Sequence, residues 1–218
     1  MVAGTYLLID NLAYEERKGT LNFIRLSPRS PQNILWGKIL GVPVLLYIVA
    51  LLAVPLHLGM GLAAHIPLIR ILGFYGVLAF SCLSFYSYAL LFSLISLGVL
   101  SRFQALLGSG IVFLVIFFGS RNEVMGDTAD WLKVFSPILI LQYLISAMGI
   151  QSTSLFLNLE IQKLQWFSLP VGMGIVGISS ILLLNYSLWT YWSWQAIQRR
   201  FLSLSKTILS KSQSYSVF

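Results

Sequence analysis

The sequence predicts an all-α integral membrane protein with four transmembrane helices, a short helix on the cytoplasmic side and an external re-entrant helical hairpin. Three observations predict it. Of 218 residues, 57% are hydrophobic and only 10% charged, and the mean hydropathy is +0.84. A water-soluble domain carries about 25% charged residues to cover its surface. The apolar residues also gather in long uncharged runs, four of which approach the roughly 20 residues needed to cross about 30 Å of hydrocarbon. Finally, the basic residues are spread unevenly between those runs. The same composition excludes disorder, and the single cysteine, Cys82, excludes a disulfide scaffold. The net charge of +7 has no polar domain to sit on, which argues against a nucleic-acid binder.

Residues 1–12 are apolar from Val2 to Ile9, too short a run to span, and lack the basic start and cleavage site of a signal peptide. They read as the end of a longer helix. Residues 13–35 hold the only sizeable charged segment before a span. Glu15 and Glu16 precede Arg17 and Lys18, and Gly19 breaks or caps the short helix they begin. Thr20 starts a second short helix whose apolar residues, Leu21, Phe23, Ile24 and Leu26, leave Arg25 on the polar side. Ser27-Pro28 ends that helix, because the residue before a proline is pushed out of the helical region. Ser30-Pro31 begins the next, with serine at the N-cap and proline in the first turn.

The transmembrane domain, residues 36–198, follows. Its first span, about 36–58, is free of charge from Ile39 to Leu56, with Trp36 and Lys38 as interfacial anchors. The second and third cover about 71–101 and 103–120. The fourth, about 168–194, ends in Trp189, Tyr191, Trp192 and Trp194, a cluster typical of a membrane–water boundary. Residues 138–150 follow Pro137 and are only 13 long, a length that re-enters a bilayer more often than it spans one. Residues 151–167 mix apolar side chains with Glu160 and Lys163, an interfacial composition, so 131–167 reads as an external cap.

Charge decides the parity. Four spans with the N-terminal block inside place ten basic residues in the cytoplasm and four outside, whereas a fifth span leaves seven on each side. The positive-inside rule selects four, with both termini cytoplasmic and residues 199–218 as a serine-rich basic tail suited to anionic lipid headgroups.

None of the four spans carries an Asp, Glu, Lys or Arg in its interior, where ion-coupled carriers and intramembrane enzymes place them. The polar residues there are neutral, and Ser84, Ser87 and Asn185 are the candidates for a translocation path. No phosphate-binding loop is present, so energy for uphill movement must come from a separate subunit. Gly172, Gly174 and Gly177 spell a dinucleotide-binding pattern, but inside an apolar span after Pro170, where small residues serve helix packing. His57 and His65 without a nearby thiol or carboxylate read as interfacial, Cys82 as a packing residue, and Glu123, Asp127 and Asp130 as a solvated loop. No catalytic, metal or cofactor-binding constellation emerges.

One segment carries more specific information. Glu15, Gly19, Thr20 and Leu21, then Ser27-Pro28, then Gly37-Lys38 at the start of a span spell E-x-x-x-G-T-L, S-P and G-K in order. In this the chain resembles the type-2 ABC transporter permeases, although Asn22 stands where that family often has an acidic residue. The succession of three spans, an external re-entrant hairpin and a returning span is similar too. The resemblance implies that residues 13–30 form the coupling helix that docks on an ATP-binding subunit. The contact would then be made by Glu15, Glu16, Arg17, Gly19, Thr20, Leu21, Phe23, Ile24 and Pro28. It implies that ATP and Mg are held by that partner and no cofactor by this chain, that a second permease copy completes a homo- or heterodimer, and that the assembly is an exporter. It further implies that residues 1–12 are the end of the family's second span, so that the first two helices of the family are missing from this chain. A haem-exporter-like permease of cytochrome c maturation fits the same loop, and a non-transporting membrane assembly or anchoring protein fits the same absence of intramembrane charge.

Overall fold

A computed structural model describes residues 1–96, 103–119, 133–141, 165–166, 169–170 and 175–202. The described chain is helical almost throughout. The helices are α1 (Val2–Arg17), α2 (Thr20–Arg25), α3 (Pro31–Gly41), α4 (Val44–Ala63), α5 (Leu68–Ser96), α6 (Gln104–Gly119) and α7 (Ile175–Leu202). Residues 138–141 are helical as well. The strands among the described residues are β1 (Gln165–Trp166) and β2 (Leu169–Pro170), antiparallel, with Trp166 opposite Leu169. Residues 123, 127 and 130, most of the predicted cap at 131–167 and the tail from 203 onward lie outside the described residues.

The chain forms two compact units. The first contains α1 to α3, the adjoining parts of α4 to α6 and the C-terminal part of α7. In it, α1 buries Leu8, Ile9 and Leu12 on one face, the spacing of successive helical turns. Glycines let it pack closely: a Cβ at Gly4 would overlap the Tyr86 ring, and one at Gly108 would overlap Ile9. α1 continues through residue 12 to Arg17, so the charged quartet Glu15 to Lys18 closes this helix rather than beginning another.

The predicted first span, 36–58, is divided. α3 stops at Gly41 and α4 starts at Val44, with Val42 and Pro43 forming a turn between them. Proline has no N–H, and its ring crowds the carbonyl four residues back, so an otherwise apolar helix breaks there. α3 begins as predicted, with the Ser30 side chain accepting a hydrogen bond from the Asn33 N–H and Pro31 in the first turn.

α5 and α6 are joined by a buried amide. Gln104 Nε2 donates to the Ser93 carbonyl at 2.9 Å and to Ser96 Oγ at 2.6 Å. Ser87 and Ser96 return their own hydroxyl protons to carbonyls one turn back, Leu83 and Phe92, which satisfies them within an apolar helix.

The second unit contains the remaining parts of α4 to α7 together with residues 133–141. Its core is Val77, Val134, Leu139, Ile140, Ile178, Leu182 and Tyr186. Tyr186 is fully buried, and its hydroxyl donates to the Phe135 carbonyl at 3.1 Å, fixing residues 133–141 against α7. α4 ends in a Schellman motif, with Ile66 N–H bonded to the Gly61 carbonyl and His65 N–H to that of Leu62. His65 occupies the left-handed position at φ 57°, so this histidine serves as a helix cap. His57 Nδ1 lies 2.7 Å from the Tyr75 hydroxyl.

Among the described residues two helices, α4 and α5, are long and apolar enough to cross a membrane. α4 does not resemble the core helix of a soluble protein, because only 6% of its apolar window is buried. Leu45, Val49, Leu51, Leu52, Leu56 and Met60 are all exposed along it. α6 is apolar but shorter at 16 residues. α7 runs from 175 to 202, beginning later than the predicted span at 168 and ending beyond the tail boundary at 199.

Candidate functional site

The segment from Asn11 to Lys38 concentrates charge and helix ends in one place. At its centre Lys38 Nζ, on α3, lies 2.6 Å from both Glu15 carboxylate oxygens and donates to Asn11 Oδ1 at 3.1 Å. The two charged side chains are only 10% and 18% exposed, so the pair is largely removed from water. It ties the last turn of α1 to α3 across 23 residues of sequence. Arg17 pairs with Asp10 at 3.9 Å in the open, and Lys18 lies over the Tyr14 ring at 4.6 Å, contacts that solvent weakens.

Gly19 turns the chain between α1 and α2 with φ 71° and ψ 2°, a left-handed conformation that disfavours any residue with a Cβ. Thr20 Oγ1 then donates to the Glu15 carbonyl at 3.1 Å, satisfying one of the orphan acceptors at the end of α1. Ser27 and Pro28 leave α2 through a bend, and Ser27 Oγ accepts from the Arg29 N–H at 3.4 Å. α2 is therefore a single isolated turn and a half, bounded on both sides by backbone breaks.

α2 has two faces, and they differ from the amphipathic expectation. Leu21 and Arg25, four residues apart, share the inner face. Leu21 is fully buried, and the Arg25 guanidinium lies 5.7 Å from the Phe201 ring of α7. Arg25 Nη1 also donates to Asn22 Oδ1 at 3.2 Å. Burial lowers the pKa of Arg25 from its ordinary value, and neighbouring Glu16 pulls it back upward. Phe23 and Leu26 occupy the opposite face, 76% and 83% exposed, with Ile24 half-buried between the two faces. Only part of the predicted apolar anchor is thus presented outward: Leu21 holds α2 to the protein, while Phe23 and Leu26 are available. Glu15 likewise turns inward to Lys38, which leaves Glu16 as the acid of the pair without this internal ion pair.

The residues expected along a translocation path are Ser84, Ser87 and Asn185. Ser84 and Ser87 are both fully buried in α5. Ser84 Oγ lies 2.6 Å from Thr190 Oγ1 of α7, and the Ser87 hydroxyl is bonded within its own helix. The Asn185 amide nitrogen is buried with no hydrogen-bond partner among the described residues. Among the described residues no group of three or more His, Cys, Asp or Glu side chains is arranged to hold a metal ion.

Two features of this segment escaped the sequence reading. The Lys38–Glu15 pair is long-range, and no local pattern announces it. The placement of Arg25 on the inner face depends on an aromatic ring 176 residues away, since Phe201 supplies the surface it covers. No protein-family model, no curated protein and no solved structure matches the chain.

Proposed function

We propose that the chain is the membrane-spanning permease subunit of a type-2 ABC exporter, with α2 as its coupling helix. The apolar exterior of α4 is a surface suited to lipid rather than water. In this reading the polypeptide crosses the inner (plasma) membrane four times: through α3 and α4 together, then α5, α6 and α7. Residues 131–167 form an external re-entrant cap, and both termini are cytoplasmic. ATP and Mg belong to a separate subunit, and a second permease copy, identical or different, completes the path. Substrate passes by alternating access.

One observation carries the reading. A six-residue helix is set off by a left-handed glycine and a Ser-Pro bend, fastened on one face and displaying two large apolar side chains on the other. Such knobs are the type of group that anchors an interface when a partner pocket encloses them. The partner's closure would press on Phe23 and Leu26. Leu21 would pass the displacement to the first unit, and the Glu15–Lys38 pair would pass it to α3 and so to the first span. Glu16, Arg17 and Lys18 at the edge would set orientation through charge.

The test begins with gene order and ends with protein. An ATP-binding-cassette gene beside this one, whose product co-purifies with the full chain and loses that association in the Phe23→Asp/Leu26→Asp double variant, supports the assignment. A chain that purifies alone from membranes containing that cassette subunit overturns it and favours an assembly or anchoring role.

A further inference from the structure

The break at Val42–Pro43 interrupts the regular ladder of backbone hydrogen bonds, and at the Ile39 carbonyl the regular donor is missing for good. In a continuous helix the Ile39 carbonyl would accept from the N–H of residue 43, and Pro43 has none. The Tyr47 hydroxyl takes that place: Tyr47 Oη donates to the Ile39 carbonyl at 2.8 Å, reaching back over the break from the first turn of α4. The neighbouring bonds show how the chain re-forms. Val42 N–H still bonds to the Lys38 carbonyl at 3.0 Å, while Leu46 and Tyr47 N–H both turn to the Pro43 carbonyl at 3.0 and 3.2 Å.

Both sides of the break are anchored. On the α3 side, Lys38 precedes Ile39 directly and is clamped to Glu15 and Asn11. Leu35 and Ile39 are buried beside it. On the α4 side, the Tyr47 ring lies 6.2 Å from the Tyr86 ring of α5, which itself packs against the backbone of Gly4 in α1. Pro43 is buried, whereas Leu40, Gly41, Val44 and Leu45 around it are exposed, and among the described residues nothing beyond the local helix lies within 4 Å of where a Cβ at Gly41 would stand. Among the described residues the backbone at the break is thus loosely packed on the Gly41 side, and on the other the Tyr47 hydroxyl bridges it.

We infer that Val42–Pro43 is a hinge and that the Tyr47 hydroxyl is its latch: the hydrogen bond to the Ile39 carbonyl holds α3 and α4 in one relative setting, and its release lets α4 reorient on an anchored α3. The inference rests on backbone chemistry and holds whether or not a cassette subunit docks on α2.

The decisive measurement is amide hydrogen exchange, read by mass spectrometry on the full chain in lipid nanodiscs. It compares wild type, Tyr47→Phe, Pro43→Ala and the double variant. Removing the hydroxyl should speed exchange in peptides covering residues 39–48 roughly fivefold, the size of one net hydrogen bond. Alanine at 43 restores an N–H for the Ile39 carbonyl, so Pro43→Ala should slow exchange there, and adding Tyr47→Phe to it should change little. That non-additivity is the signature, since a tyrosine that only fills space would give the same effect in both backgrounds. Tyr75→Phe, which removes a hydroxyl paired with His57 instead, should leave residues 39–48 unchanged and controls for general loosening. Unchanged exchange in Tyr47→Phe, or an equal change with and without Pro43, overturns the latch.

Discussion

Lys38 stands at the entrance to an apolar stretch, where an ammonium at 9% exposure has lost most of its water, and the Glu15 carboxylate and Asn11 amide replace that hydration. Removing one partner of such a pair costs more than removing both, because the survivor is left charged and unsolvated. Glu15→Gln should therefore destabilise the detergent-solubilised chain by about 3 kcal/mol, and Lys38→Met by less, since Glu15 retains more access to solvent. The Glu15→Gln/Lys38→Met double variant should recover much of the loss in the same denaturation series, and simple addition of the two single effects would refute the pairing. Gly19 poses a different problem. A Cβ there would meet no described neighbour within 4 Å, so its requirement is conformational and comes from φ 71°. Gly19→Val should cost about 1–2 kcal/mol and Gly19→Asn clearly less, because asparagine tolerates the left-handed region; equal losses would point to hidden packing instead. The glycine and the Ser30-Pro31 cap were readable from sequence, since each acts through its own backbone and its immediate neighbours. The lysine was not, because a pair 23 residues apart exists only once α1 and α3 lie side by side.

At the scale of the element, α2 shows why a six-residue helix defeats an amphipathic reading. With so few positions, two residues settle which face is inner, and here these are Leu21 and Arg25 rather than the four apolar residues together. Arginine can cover an aromatic ring with its planar guanidinium, so its presence on the inner face conflicts with a polarity pattern but not with physical chemistry. The two faces should separate cleanly under mutation. Leu21→Ala removes a fully buried side chain and should lower stability by about 2–4 kcal/mol. The outward pair Phe23→Ala and Leu26→Ala should leave unfolding within about 0.5 kcal/mol of wild type while weakening capture of a cassette subunit. Should the outward variants unfold the chain as readily as Leu21→Ala does, α2 is a packed structural turn and not a docking element. The same scale explains the divided first span. Hydropathy runs unbroken across Pro43, so composition predicts one helix, and only the missing N–H of that residue, together with a tyrosine four positions on, marks where the backbone bends.

For the whole molecule the net charge of +7 becomes an orientation only if the number of crossings is even. α4 and α5 meet the length and hydropathy of a span, while α6 is four residues shorter than α4 and α7 mixes its apolar residues with Asn185, Gln195 and Gln198. Length and composition therefore make two helices candidates for crossing, and charge distribution has to decide how many crossings there are. The four-span arrangement places Arg29 and Ser212 on the cytoplasmic side and Ala64 and Gly126 on the opposite one. With Cys82 replaced by serine, single cysteines at these four positions should divide two and two. Those at 29 and 212 should react with a membrane-impermeant maleimide only in inside-out vesicles, and those at 64 and 126 only in intact cells with the outer face accessible. The tail position is the most discriminating. If residues 138–150 crossed fully, cysteine 212 would label from outside while 29 stayed inside, seven basic residues would face each way, and a cytoplasmic C-terminus would be excluded together with the re-entrant cap. Labelling of 212 from the cytoplasm alone leaves an even number of crossings, which is also the arrangement that keeps Arg199 and Arg200, at the end of α7, on the same side as α2.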